Sequence, residues 1–329
     1  MRSERTVVTY SRFTSGVTVW PINKSGQADM QTTSNENLVA LNKQAGTAAI
    51  AYMGKVAWPT VLLIVSVWVL LGLSLALFQY GFLPVWAATL CVAGLTYFSY
   101  TPLHEAVHGN LHGSKAGLRW LNDLCGYMAA PIISIPYASH RHEHFTHHRY
   151  TNIPEKDPDY MISAMGSGLA SLLPTTVKFF YNQNAYFAKH HWQSASNRER
   201  LIYCAELVFS AAWRIGVIVW ISTPGVLVVL LLGYFLGGFF TAYWFAYRPH
   251  IPYQNTKRYQ TTNSLIMPKW MRPIEWFWLG QNLHSIHHLF PRVPFYRYHA
   301  LHREIEPVLR AHGTPIVDIW SQSPVSTKP

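Results

Sequence analysis

At 329 residues and a formal net charge of +11, the chain has room for two soluble domains, yet half of it is hydrophobic, 15% is aromatic and only 12% is charged. Ordinary soluble domains carry about 25% charged residues, so composition argues against a conventional water-soluble enzyme. No basic stripe interleaves with a nucleic-acid-binding motif, which excludes nucleic acid as the reason for the positive charge.

In chain order, residues 1–56 are polar, rich in Ser, Thr, Asn and Gln, and read as a mobile or membrane-surface arm. Residues 58–78 and 82–100 hold no charged side chain. Each run approaches the roughly 20 residues that cross a bilayer as a helix. Two further runs follow, 201–221, interrupted by Glu206 and Arg214, and 225–247, which carries no charge. The expectation is an all-α integral membrane protein of four spans in two hairpins, turned at 79–81 and 222–224. Lys and Arg number 6 in residues 1–56, 9 in 101–200 and 10 in 248–329, with none in either turn. By the positive-inside rule the three polar segments and both termini lie on the cytoplasmic side, and the charge also favours anionic headgroups. Residues 57–320 form one membrane domain on this reading, with 321–329 as a tail. Cys91, Cys125 and Cys204 lack C-x-x-C spacing and read as reduced packing residues.

Most of the 17 histidines fall in three clusters just beyond these runs. The first, in "PLHEAVHGNLHG", places His104 and His108 one helical turn apart with Glu105 in an H-E-x-x-H pattern. The second, "HRHEHFTHHRY", and the third, "GQNLHSIHHLFP", share the spacing H-x-x-H-H as His144, His147, His148 and His284, His287, His288. Imidazoles at i, i+3 and i+4 lean to one side of a helix, while adjacent histidines diverge enough to reach different metals. Eight imidazoles exceed the three or four that one zinc needs and suffice for two metals with open positions. His250, in "RPHIP", is a ninth candidate, and His112, His140 and His142 stay open as ligands. A membrane zinc protease would leave two clusters without a purpose. A metal transporter would place its ligands near the bilayer midplane, not beyond the span ends. On this reading Glu105 steadies a ligand histidine, and Asp157 and Asp159 of "NIPEKDPDY" do likewise. His190, His191, His299, His302 and His312 read as interfacial or surface residues. Residues 233–247, aromatic and small, read either as the lining of an apolar tunnel or as helix packing at Gly237 and Gly238.

These motifs resemble the membrane-bound fatty-acid desaturase and hydroxylase superfamily over residues 58–320. The resemblance implies four membrane helices under a cytoplasmic cap of three histidine boxes that binds a non-haem di-iron centre. Box one is then His104 and His108, box two His144, His147 and His148, box three His284, His287 and His288, with His250 the further ligand. Within the superfamily, "HHRYTNIPEKDPD", "YRPHIPY" and "WLGQNLHSIHHLFPRVPFYRY" are similar to desaturase-like β-carotene hydroxylases. Box one has Glu105 where Asp is usual, and box three lacks the aromatic that commonly precedes its first histidine. The resemblance implies molecular oxygen as co-substrate and an apolar lipid, a carotenoid or a fatty acyl chain, as substrate. Hydroxylation, desaturation and ketolation share such a metal site. No nicotinamide, haem or iron–sulfur motif is present in the sequence, so electrons come from an external donor, with a ferredoxin-type protein the expectation.

Overall fold

The computed structural model describes residues 35–325. Residues 1–34 of the expected arm and 326–329 of the expected tail lie outside the described residues. The arm's remainder includes a helix, α1 (Asn35–Ala51), whose Ala45 and Ala49 are fully buried in a cluster with Leu301, Ile305 and Leu309. Small side chains on one face let this polar helix dock.

Helix α2 (Trp58–Gln79) carries Pro59 in its first turn, where backbone N–H groups have no helical partner and proline loses nothing. It buries Ile64, Val67, Leu71 and Leu75 on one stripe, while Leu62, Val69 and Leu73 stand exposed on the other side. An apolar exposed face suits lipid. Helix α3 (Val85–Val107) is the most enclosed of the long helices, with Ala88, Val92, Thr96, Ser99 and Leu103 all buried. Helix α4 (Trp120–Ile133), α5 (Tyr137–Tyr150) and α6 (Leu169–His190) follow, then the long pair α7 (Asn197–Ile221) and α8 (Gly225–Thr241). Gly233 and Gly237 of α8 seat that helix on α3: a Cβ would come within 2.7 Å of Val92 at the first and 2.5 Å of the Ala93 carbonyl at the second. Gly238 instead abuts the Phe180 ring of α6. The small residues of this segment therefore serve helix packing.

Among the described residues three helices are long and apolar enough to cross a membrane: Trp58–Gln79, Asn197–Ile221 and Gly225–His250, the last continuing α8 through a π-helical turn. The expected span at 82–100 falls in α3 from Val85 onward but is not one of the three. Thr89, Thr96, Tyr97, Ser99, Tyr100 and Thr101 recur along it, and a helix shielded by α2, α4 and α8 need not be as apolar as one facing lipid. Two of its hydroxyls turn back to helix carbonyls: Thr89 Oγ1 donates to Val85 O at 2.8 Å and Ser99 Oγ to Thr96 O at 2.7 Å.

The two charges inside the apolar run 201–221 of α7 are matched to helix ends. The Glu206 carboxylate accepts from the backbone N–H groups of Tyr137 and Ala138, at 2.7 and 3.0 Å, at the start of α5. Arg214 donates to Ile132 O at 3.3 Å and to the Ser134 hydroxyl, at the end of α4. Each charge faces the helix terminus of opposite partial charge. The chain is not purely helical: β1 (Ser264–Ile266) pairs in parallel with β2 (Ile316–Asp318), Ser264 opposite Ile316 and Ile266 opposite Asp318. Helices α9 (His284–Leu289) and α10 (Tyr298–Ala311) complete the fold.

Candidate metal centre

Four segments bring the histidines together. Helix α3 carries His104 in its last turn and ends at His108, after which Gly109 adopts φ +69° and turns the chain away. Helix α5 presents His144, His147 and His148, the short α9 presents His284, His287 and His288, and a 3₁₀ turn beyond α8 presents His250. Before that turn the π-helical stretch Ala242–Tyr247 sets Phe245 in stacked contact with Tyr97 and Tyr100, 5.1 Å from each ring centre.

The rings form two groups. His104, His108, His144, His148 and His287 each offer one nitrogen, all within 4.8 Å of one another, and His147, His250 and His288 do the same. His284 sits beside the second group, its ring 4.8 Å from that of His288 and 5.2 Å from that of His250. The Nε2 atoms of His144 and His108 are 3.0 Å apart, those of His148 and His144 3.0 Å, and those of His148 and His287 2.8 Å. Two nitrogens bound at right angles to one metal through bonds of about 2.1 Å lie about 3 Å apart, so this crowding fits a shared ion. Orphaned nitrogens fit it as well. Both ring nitrogens of His250 and Nε2 of His288 are buried without a hydrogen-bond partner, a costly state for a polar group that metal coordination would relieve.

Burial and one another's nearness hold His144, His148, His284, His287 and His288 well below the usual imidazole value. They stay neutral, as metal ligands must be. His147 differs. Burial is the largest single influence and lowers it, but the Asp157 and Asp159 carboxylates together outweigh burial and raise it to about 9. His147 Nδ1 meets Asp157 Oδ1 at 2.8 Å, and Asp157 also accepts from the Asn152 and Asp159 amides at 2.8 and 2.9 Å. The Tyr298 hydroxyl lies 3.1 Å from His287 Nδ1. Such partners fix ring orientation and leave the opposite nitrogen free to bind.

Asp157 thus stands where the sequence placed it, and Asp159 is 3.9 Å from the same ring nitrogen. Glu105 does not. Its carboxylate accepts from the Thr60 hydroxyl and from the Phe295 amide at 2.5 Å, tying α2 to the segment before α10 instead of steadying a histidine. The three open histidines fall outside both groups. His112 Nδ1 accepts from Asn122 Nδ2 at 2.7 Å, His140 Nδ1 donates to Gln183 Oε1 at 2.9 Å, and His142 stacks on His191. His302, expected near the surface, is buried on α10. Gln183, Tyr298 and Glu206 gave no sequence signal of a role around the site, beyond the oddity of a carboxylate in an apolar run.

Comparison with known proteins accords with this geometry. A 46-residue stretch is 46% identical to the Delta(12) fatty acid desaturase fat-2 of Caenorhabditis elegans, spanning 14% of this chain but only 12% of that protein. The fatty acid desaturase family matches residues 80–320, well over half of the chain and inclusive of all nine histidines. A chain with that match and with its histidines gathered from four segments into two adjoining groups belongs to the fatty acid desaturase family, within the membrane desaturase and hydroxylase superfamily.

Proposed function

We propose that this chain is an oxygen-dependent, non-haem di-iron oxidoreductase of the membrane that hydroxylates the ring of a carotenoid such as β-carotene. The observation that carries the reading is the convergence of nine histidines from four segments into two adjoining groups. One iron would be held by His104, His108, His144, His148 and His287, the other by His147, His250, His288 and the neighbouring His284. Imidazole suits iron, and such a centre when bound supplies oxygen activation and the removal of hydrogen from an unactivated C–H bond. The stoichiometry is RH + O₂ + 2e⁻ + 2H⁺ → ROH + H₂O, the two electrons coming from an external, ferredoxin-type donor.

The chain's own residues orient the site and exclude water. His104, His144 and His287 are 1, 3 and 0% exposed, and Tyr100 and Phe245 wall the site on the side of the spans. An apolar substrate would approach from the bilayer, where a cleft of about 270 Å³ opens between α4, α6 and α8, lined by Ile133, Phe180, Tyr234, Phe235 and Gly238. The reading includes four spans, α3 being the fourth, with the histidine cap and both termini cytoplasmic. Residues 57–320 are its catalytic body, with α1 docked against it. The carotenoid assignment rests on the stretches flanking boxes two and three. The match to a Delta(12) desaturase favours a second reading, a fatty-acid desaturase or hydroxylase.

Chromatography of pigments from a β-carotene-accumulating bacterium expressing this chain, beside His287→Ala, tests the proposal. Hydroxylated carotenoids are expected only with the intact site, whereas keto products would make it a ketolase. Unchanged pigment with an altered fatty-acid profile would replace the carotenoid reading with the second one.

A further inference from the structure

We infer that the outer face of α5 is the docking surface of an acidic one-electron carrier protein, with Phe145 the electron's point of admission. The inference rests on the oxidoreductase reading above and names its partner. Along α5 the inward positions are Ser139, His140, Glu143, His144 and His147, all buried. The exposed positions after Tyr137 are Arg141, Phe145 and Arg149, at i, i+4 and i+8 and therefore on one line along the helix.

Phe145 is 49% exposed, yet its ring meets the His108 imidazole edge to face, with centres 5.7 Å apart. In the five-histidine group, His148 is the one that is not fully buried and His108 comes next at 9% exposure. Phe145 thus joins the solvent-facing side of α5 directly to a histidine of this group. A large apolar ring in water flanked by arginines is the usual anatomy of an interface anchor with a charged rim. Arg149 has no carboxylate within ion-pair distance among the described residues, and Arg141 has only Asp123, at 4.0 Å. A third exposed arginine, Arg292, donates to Gly113 O at 3.4 Å, and the adjoining Pro291 carbonyl accepts from Asn110, two residues beyond His108. This basic rim attracts an acidic surface and steers its approach. Each reduced carrier is oxidised by one electron, so two dock per dioxygen, matching the two electrons of the stoichiometry. A lipid headgroup would account for the arginines but not for Phe145 resting on a histidine of the metal group.

The test uses the full-length, iron-loaded protein in phosphatidylcholine nanodiscs with a plant-type acidic ferredoxin as probe. Binding of the oxidised ferredoxin is read by surface plasmon resonance, and turnover is supported in parallel by reduced ferredoxin or by dithionite with methyl viologen. Arg149→Glu is expected to raise Kd and the KM for ferredoxin by about ten-fold or more, leaving viologen-supported turnover and iron content unchanged. Arg149→Lys should restore most of the binding, and Arg303→Glu on α10 should change nothing. Phe145→Ala should slow ferredoxin-supported but not viologen-supported turnover. An unchanged Kd in both Arg141→Glu and Arg149→Glu overturns the inference. So does a loss of the variants' yield in anionic nanodiscs at constant Kd, which would assign the face to headgroups. Failure of the oxidoreductase reading looks different: neither reductant would support turnover of the wild type, while ferredoxin binding would still depend on Arg149.

Discussion

Asp157 shows how one side chain sets the state of a clustered histidine. It gathers the His147 ring and the Asn152 and Asp159 amides, three donors on one carboxylate. With His147 raised to about 9, the metal-free ring is an imidazolium at pH 8, and an arriving ion must displace a proton from Nε2 while Asp157 keeps the one on Nδ1. Asp157→Asn should therefore weaken iron binding by about 10–100-fold. It should also abolish the release of about one proton on loading at pH 8. Titration calorimetry in buffers of differing ionisation enthalpy measures both, and an unchanged affinity would deny Asp157 this role. The position was legible because "NIPEKDPDY" follows box two so closely. Glu105 misled because H-E-x-x-H invites a metal reading. One residue along a helix is a rotation of about 100°, and that turn carries Glu105 away from the imidazoles to Thr60 and Phe295.

Among the elements, α7 is both a membrane-crossing candidate and the clamp that aims α5. Its Glu206 and Arg214 hold the two sides of the turn at 134–136, so the box-two helix starts from a fixed point. Glu206→Gln keeps the shape and removes the charge from two hydrogen bonds to backbone N–H groups, a loss of about 2 kcal/mol. The variant should lose solubility in detergent at lower temperature, read by size-exclusion chromatography after heating, and should bind less iron per chain. A wild-type melting profile with full iron would show the clamp to be dispensable. The apolar runs made α2, α7 and α8 legible, since a helix facing lipid cannot hide its composition. Elements that face protein were harder to read. Helix α1 docks through two alanines, and the β1–β2 pair joins segments about 50 residues apart with only three paired positions. Neither leaves a periodic trace in the sequence.

For the molecule as a whole, the clustered imidazoles tie folding stability to pH. Histidine spacing singled out the side chains that cluster, but their division into a group of five and a group of three depends on how α3, α5 and α9 cross, which no local pattern records. In the metal-free protein His144, His148, His284, His287 and His288 are held neutral, with values well below the roughly 6.5 of an unfolded chain. As pH falls through 6.5 the unfolded chain takes up protons that the folded one refuses, so stability is present above that value and is lost below it. His147 runs the other way: its raised value contributes stability that is complete below about 6.5 and fades as pH climbs through about 9. The five depressed imidazoles outnumber the neighbouring groups that run the other way, His147 and the carboxyls of Glu143 and Asp159, whose values burial raises, so the thermal midpoint of the metal-free protein should fall from pH 7.5 to pH 5, by about 2–4 °C for each kcal/mol lost. Ferrous iron should raise the midpoint at pH 7.5 by mass action and raise it less at pH 5, where protons compete for the same nitrogens. Differential scanning fluorimetry with and without iron, across that range and under anaerobic conditions, measures both slopes. A midpoint indifferent to iron at pH 7.5 would mean that the clustered imidazoles hold no metal, and the oxidoreductase reading would fall with it.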